Sequence, residues 1–395
     1  MIKKLTTLFI FTLFTLTLWG QTESEIIKQA NELILNKKYE SAFNLLDSFD
    51  PINSKADVVL LKAHILQNYF VSSIMHQMFA LVDLNKNEDI MDYRGKNGSF
   101  SMQIFAVDSI LLNLIITDST NCKLYKGLGD YYFDVYLSYG EKWLTSNEEL
   151  FELMQTNFQK VVNGNCADYM SYYVLGYLNL VQDNIKESIP YFLKSIELDK
   201  GYPSSHYNVA YAYLFTDDRE NALIYAKNAL DLYTEAAYKG DAARMLGQIY
   251  TELNDDKNAL ESYELANKIE PGNYYTLKSL LYLYVKTNNK MATKTRDHFF
   301  NLAPENPTIY NDIEEIYLSN KKELIKFYKS QFNSFKQNEK VQGNLNFYLA
   351  KIYLDIDKKL AKDYFIKAKD SFKKVFNQSH DVFNAIDEGL KQCEK

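Results

Sequence analysis

Small residues return along this chain at an interval close to 34, and that spacing constrains its fold more than any other feature. Gly176 and Ala210 are 34 apart, and Gly247 follows 37 later, around an insertion near Ala237 to Lys239. Tyr250 and Tyr284 are again 34 apart, and Pro271 and Pro304 are separated by 33. Within one unit, Ala243, Leu246, Gly247 and Tyr250 fall on one helical face, and Ala259, Tyr263 and Ala266 fall on another. Between the two faces, Asn254-Asp255-Asp256 supplies turn and N-cap chemistry, and Pro271 closes the second helix. A constant period carrying two helices per unit predicts a stacked array of helical hairpins.

A glycine inside a helix costs about 1 kcal/mol relative to alanine. Gly176 and Gly247 therefore need an offsetting gain, and close approach of the two helices supplies it, with aromatic rings filling the adjoining grooves.

The layout Leu246, Gly247, Tyr250, Ala259, Tyr263, Ala266 and Pro271 resembles the tetratricopeptide repeat, with Ala243 standing where that pattern has Trp. The resemblance implies an all-α, right-handed solenoid of antiparallel helix pairs that binds other molecules on its inner face. The best-matching repeats span 169–305. Hairpins that match less well are expected over 21–84, over 121–168 with an enlarged turn at Gly140 to Asn147, and over 306–378; a capping helix is expected over 379–395. Residues 85–120 read as an irregular loop and helix, with Asn85 to Ser101 as a surface loop within one continuous array.

Carried onto this sequence, the family's inner-face positions are Tyr173, Tyr177, Tyr207, Asn208, Tyr211, Arg244, Gln248, Lys278 and Tyr282. Tyr rings there would offer a peptide aromatic contact together with hydrogen bonds. The alternative reading is that Tyr simply covers solvent-facing helix surface in a chain that holds 32 of them. Some relatives grip a terminal carboxylate with Lys and Asn. Here Tyr173, Tyr177, Asp241 and Met245 occupy those positions and only Asn208 fits, which argues against such a clamp.

The amino terminus departs from the array. Lys3 and Lys4 precede an apolar stretch from Leu5 to Trp19, and Gly20 leads into polar sequence, as in a secretory signal peptide over 1–20. The apolar run is shorter than the ~20 residues of a spanning helix, and no later stretch is long enough to cross a membrane. The expected destination is the periplasm or the exterior of a bacterium. A formal charge of −7 without basic clusters argues against nucleic acid.

Motifs that carry chemistry are weak. Asp83-Leu84-Asn85-Lys86-Asn87 opens like a calcium loop, but Glu88 and Arg94 stand where Gly and Glu are required. Gly127-Leu128-Gly129 lacks the third glycine of a phosphate turn. His64, His76, His206, His298 and His380 form no zinc-spaced pair, and Asp217-Asp218 and Asp255-Asp256 sit where helix caps are needed. No metal, cofactor or catalytic residue is therefore expected.

Cys122 and Cys166 each follow Asn and precede a first helix, so a disulfide between neighbouring units is possible in an oxidising compartment. Equivalent helices stack about 10 Å apart, however, and a disulfide needs Cα atoms within about 7 Å, which favours free thiols. Cys393 has no evident partner.

These readings converge on a non-catalytic protein- or peptide-binding scaffold of the cell envelope. Two other classes stay open: a glycan-binding protein using an aromatic groove, and an enzyme with its site in 85–120.

Overall fold

The structure, a computed structural model, describes residues 21–96 and 100–394, so the expected signal peptide lies outside the described residues. Nineteen α-helices and one small sheet make up these residues. They divide into two compact units, meeting between Thr216 and Asp217.

The first unit opens with α1 (Glu23–Leu35) and α2 (Tyr39–Phe49), which pack as a hairpin. A capping box between Thr22 and Glu25 starts α1, and the hairpin buries Ala30 and Ala42 completely. Helix α3 (Ala56–Asn68) follows and carries a wholly buried lysine. The Lys62 ammonium donates to Asp47 Oδ1 at 2.8 Å, the Asp50 carbonyl at 2.7 Å and Asn53 Oδ1 at 2.8 Å, so all three of its protons are satisfied.

After α3 the chain leaves the helical pattern, and the second hairpin expected within 21–84 is not completed there. Strands β1 (Ser72–Ile74) and β2 (Met78–Ala80) pair antiparallel, with Ser73 opposite Phe79. Met75 and His76, at φ 48° and 47°, form the tight turn between them. Strand β3 (Met102–Ile104) pairs with β2 across the polar segment, so the region expected as a loop includes a sheet edge. Each strand is three residues long, too short to show an alternating pattern in sequence. Helix α4 (Val107–Thr117) then packs against α3, and takes the partner position that the insertion had postponed.

Helices α5 (Cys122–Tyr139) and α6 (Asn147–Asn163) form the next pair, separated by the enlarged turn, which contains a short 3-10 segment at Gly140–Lys142. Helices α7 (Tyr169–Val181), α8 (Ile185–Leu198) and α9 (Pro203–Phe215) complete the unit. A Cβ on Gly176 would lie 2.8 Å from the Phe192 ring, and one on Gly129 would lie 3.0 Å from Phe158. These small residues therefore mark where paired helices meet.

Cys122 and Cys166 are disulfide-bonded, with Cα atoms 6.2 Å apart, which corrects the expectation of free thiols. The stacking argument compared equivalent helix positions, but these residues are not equivalent. Cys122 opens α5, whereas Cys166 lies in the loop where α6 returns to the same end of its hairpin.

The second unit runs α10 (Arg219–Leu232), α11 (Ala236–Glu252), α12 (Asp256–Ile269), α13 (Tyr274–Lys286) and α14 (Met291–Leu302). It continues with α15 (Pro307–Ile316), α16 (Lys321–Ser334), α17 (Glu339–Tyr353), α18 (Lys358–Phe372) and α19 (Val382–Glu394). Gly247 abuts Tyr263 across α11 and α12. The repeats of weak signature are held by aromatic burial, where Tyr310 stacks on Tyr348 at 4.7 Å and meets Phe300 edge-on at 5.3 Å. Helix α19 covers the last hairpin, burying Phe383 and Ile386 beside Phe365 and Phe372.

The repeat period is also written in the backbone. Asp183, Asp217, Asn254 and Asn288 are all left-handed, with φ between 53° and 67°, at spacings of 34, 37 and 34. Asp and Asn tolerate that conformation better than most residues. In the acidic pairs the duties are divided: Asp217 makes the turn, while Asp218 and Asp255 accept the backbone N–H of Asn221 and Asn258.

Candidate functional site

Repeat equivalence defines the surface on which a ligand could rest. Taking Ala63, Gly129, Gly176 and Ala210 as equivalent packing positions, the residues three before and one after each lie on the neighbouring face of every first helix. In the first unit these are Leu60 and His64, Lys126 and Asp130, Tyr173 and Tyr177, and Tyr207 and Tyr211. The first four of these line a cleft of about 650 Å³ between α3 and α5, and Asp168, Tyr169 and Tyr202 close its far side.

The centre of the cleft is charged. Lys126 Nζ lies 2.7 Å from Asp130 Oδ2 and 3.2 Å from Asp168 Oδ2, so one ammonium serves two carboxylates. Burial raises the Asp130 carboxyl above its ordinary pKa, and Lys126 only partly opposes that. Burial acts on Asp168 in the same sense, but Lys126 and the Ser171 N–H outweigh it and the net shift is downward. Burial pulls Lys126 down, yet its two carboxylates reverse this and its pKa is raised. His64 is lowered, first by burial and then by Lys126, so its imidazole is neutral at neutral pH. Lys123, at the rim, pairs with Asp57 at 3.0 Å.

Near the cleft, a Ser/His/Asp arrangement appears that the sequence did not suggest. His76 Nε2 approaches Asp134 Oδ2 at 2.8 Å, and Ser73 Oγ lies 3.1 Å from His76 Nδ1. Asp134 Oδ2 and His76 Nε2 are in close contact but are not aligned for a hydrogen bond. His76 is only 2% exposed, and Ser73 Oγ accepts the His76 backbone N–H at 3.3 Å. The cleft is lined by Asp134 but by neither Ser73 nor His76. This arrangement pins the β1–β2 turn onto α5, and its serine does not face the cleft as a nucleophile would need to.

The aromatic stripe farther along the first unit is partly consumed by packing. Tyr173 meets Tyr202 edge-on at 5.1 Å and Phe192 at 5.9 Å, and its hydroxyl accepts from Asn208 Nδ2 at 3.3 Å. Tyr177 packs on Phe133 at 5.8 Å, and burial together with Tyr136 pushes its pKa up to about 12. Tyr207 is half-buried, and Tyr211 packs on Phe215 at 4.4 Å.

In the second unit, Arg244 forms ion pairs with Glu270 at 2.7 Å and with Asp241, so its charge is engaged within α11 to α12. Gln248 is exposed and bonds Glu252 at 3.4 Å. Lys278 binds Asp312 at 2.7 Å, and the same buried carboxylate accepts from the Tyr274 hydroxyl. Lys278 and Tyr282 line a smaller cleft of about 200 Å³ with Tyr263 and Glu315. Tyr282 is 46% exposed and is the most open tyrosine of the expected stripe.

Lys126 and Asp130 were missed because the equivalence was carried only through the repeats of strongest signature. Their signal was present: Leu128-Gly129 marks the packing position, and its flanks occupy the same places as Tyr173 and Tyr177. Asp168 could not be found that way, since it is an N-cap residue and not part of a first-helix face. Among the described residues, no group of His, Cys, Asp or Glu is arranged to hold a metal ion, and no helix is long and apolar enough to cross a membrane.

Comparison with known proteins matches residues 171–202, 203–235 and 245–273 to the tetratricopeptide repeat family. No curated protein matches the chain. Among solved structures, a tetratricopeptide repeat protein from Parabacteroides merdae is 15% identical, with 69% of this chain and 99% of that chain covered and a TM-score of 0.42. The pilF protein of Pseudomonas aeruginosa is 14% identical, with 64% and 94% covered and a TM-score of 0.44. MamA is 20% identical, with 48% and 94% covered and a TM-score of 0.40.

Proposed function

We propose that this chain, a tetratricopeptide repeat protein, is a non-catalytic scaffold of the bacterial cell envelope that binds a protein or peptide through the exposed faces of its first helices. The observation that carries this reading is the cleft between α3 and α5, because its lining comes from equivalent positions of successive repeats. A site assembled by repetition places contact residues at regular intervals, which suits an extended segment of polypeptide. Fold alone does not assign function, so the weight rests on this surface.

Export is supported by the basic start and apolar run of residues 1–20, and the Cys122–Cys166 bond fits an oxidising compartment. The glycan reading is less favoured, since Tyr173 and Tyr177 spend much of their ring surface on neighbouring aromatics.

A photo-crosslinking residue placed at Lys123, on the cleft rim, tests the scaffold reading against the same residue at Lys257 on α12. A protein adduct formed from Lys123 and not from Lys257 supports it. Identical adducts from both positions, or none from Lys123, overturn it.

A further inference from the structure

The charge balance of the cleft specifies what a bound segment must bring. At its centre stand Lys126, Asp130 and Asp168, one cation against two anions. Lys123 is already matched by Asp57, and Asp134, beside His76 at 2.8 Å, adds a further carboxylate to the lining. The Lys126 ammonium sits closer to Asp130, yet burial still holds that carboxyl above its ordinary pKa. A second cation in the cleft would relieve that penalty, whereas an added anion would sharpen it.

The walls suit the stem of a long cationic side chain. Leu60, Phe133, Leu137 and Met170 line the same cleft, so methylene groups can lie on apolar surface while a charged head reaches the carboxylates. Gln67 adds a buried amide nitrogen that has no hydrogen-bond partner, and which a backbone carbonyl of a bound segment could accept from. A volume of about 650 Å³ lies within the roughly 300 to 1,000 Å³ typical of ligand pockets.

We infer that the cleft between α3, α5 and the start of α7 receives a lysine or arginine side chain from a segment of a partner protein, with Asp130 and Asp168 as its anionic partners. The inference rests on the scaffold reading and makes it specific, because a segment without a cation at this place is disfavoured. Lys126 has a defined role in this arrangement. It is a resident cation that competes with the incoming one, so removing it strengthens the site.

Selection of random-sequence peptides on the full chain, followed by titration of the best binder, tests this. The enriched position is synthesised as Lys, norleucine or Glu, with spermidine as a free-cation competitor. The expected result is enrichment of Lys or Arg and about tenfold weaker binding on replacement by norleucine, with further loss for Glu. Asp130→Asn should weaken the Lys peptide about tenfold and leave the norleucine peptide unchanged, while Lys126→Met should tighten the Lys peptide. Opposite signs for these two variants cannot come from a general loss of structure, and thermal unfolding of each variant followed by circular dichroism checks the fold independently.

Binders without cation enrichment, or a Lys preference that neither variant alters, overturn the inference and leave the scaffold reading standing. Spermidine that displaces the peptide with equal affinity shows a small-cation site and overturns the assignment to a partner segment. Failure to recover any binder overturns the inference, and the crosslink at Lys123 then decides the scaffold reading separately.

Discussion

Cys122 and Cys166 join the first turn of α5 to the loop that leads into α7, and four residues after the one and two after the other stand Lys126 and Asp168, 3.2 Å apart. The covalent bond and the ion pair therefore hold the same two segments together at the edge of the cleft. The bond closes a loop of 44 residues.

Removing that bond should loosen the first unit. Loop closure of this length accounts for about 4 kcal/mol in the chain-entropy model, as an upper expectation. Urea unfolding of the Cys122→Ser, Cys166→Ser chain should show the loss in one transition, with hydrogen exchange rising in α5 and at the start of α7. Unchanged exchange in those segments would contradict this account.

Gly247 has no room for a side chain. A Cβ there would lie 2.7 Å from the Tyr263 ring, so even Gly247→Ala should overpack the hairpin and cost about 1 to 3 kcal/mol despite alanine's better helix propensity. Thermal melts should show partial rescue when Tyr263→Leu is added. Additive losses in the double variant would show that the ring is not the obstacle.

Buried Lys62 should be a sensitive position. Lys62→Met keeps the stem but removes three charge-assisted hydrogen bonds, and it leaves Asp50 and Asn53 short of a donor. The expected loss is about 3 kcal/mol, at the low end for a broken buried pair because Asp47 stays half in water. Denaturant titration measures it, and a loss below about 1 kcal/mol would mean the ammonium is not what holds this turn.

The two carboxylates on Lys126 should respond to pH with opposite signs. Asp168 has its pKa depressed by folding, so its contribution is present above the ordinary carboxylate value and is lost as pH falls through the folded value. Asp130 has its pKa raised, so its ionised form costs stability at neutral pH, and that cost disappears on acidification through the folded value. Asp168→Asn should destabilise the chain at pH 7 and Asp130→Asn should stabilise it, each within about 1 kcal/mol for partly exposed pairs. Both differences should shrink as pH falls through the carboxylate range, the Asp130 difference first, and melts across a pH series test this. Effects of equal sign at pH 7 would refute it.

Much of the architecture was legible in advance because a repeat is local information. Gly176 with Phe192, and Gly247 with Tyr263, lie within one hairpin each, and helical periodicity alone places them face to face. The left-handed turns at Asp183, Asp217, Asn254 and Asn288 keep the same spacing, since each hairpin must reverse its chain in the same way. The inner-face rule was legible too, and extended by one repeat it reaches Lys126 and Asp130.

Other features depended on segments that sequence does not bring together. The sheet escaped notice because three-residue strands have no readable period, and it is held by pairing of Met78 with Ile104 across the insertion. Arg244 and Lys278 read as binding positions of the inner face, yet Glu270 and Asp312, 26 and 34 residues later, engage them. In the cleft, Asp168 reaches Lys126 from the loop beyond the next helix. Sequence thus determined the repeat hairpins and their packing faces, because those follow from side-chain periodicity over a few turns. Only the tertiary structure decided which charges are cancelled and which are left for a partner, because Coulomb interactions depend on distance in space and not on separation along the chain.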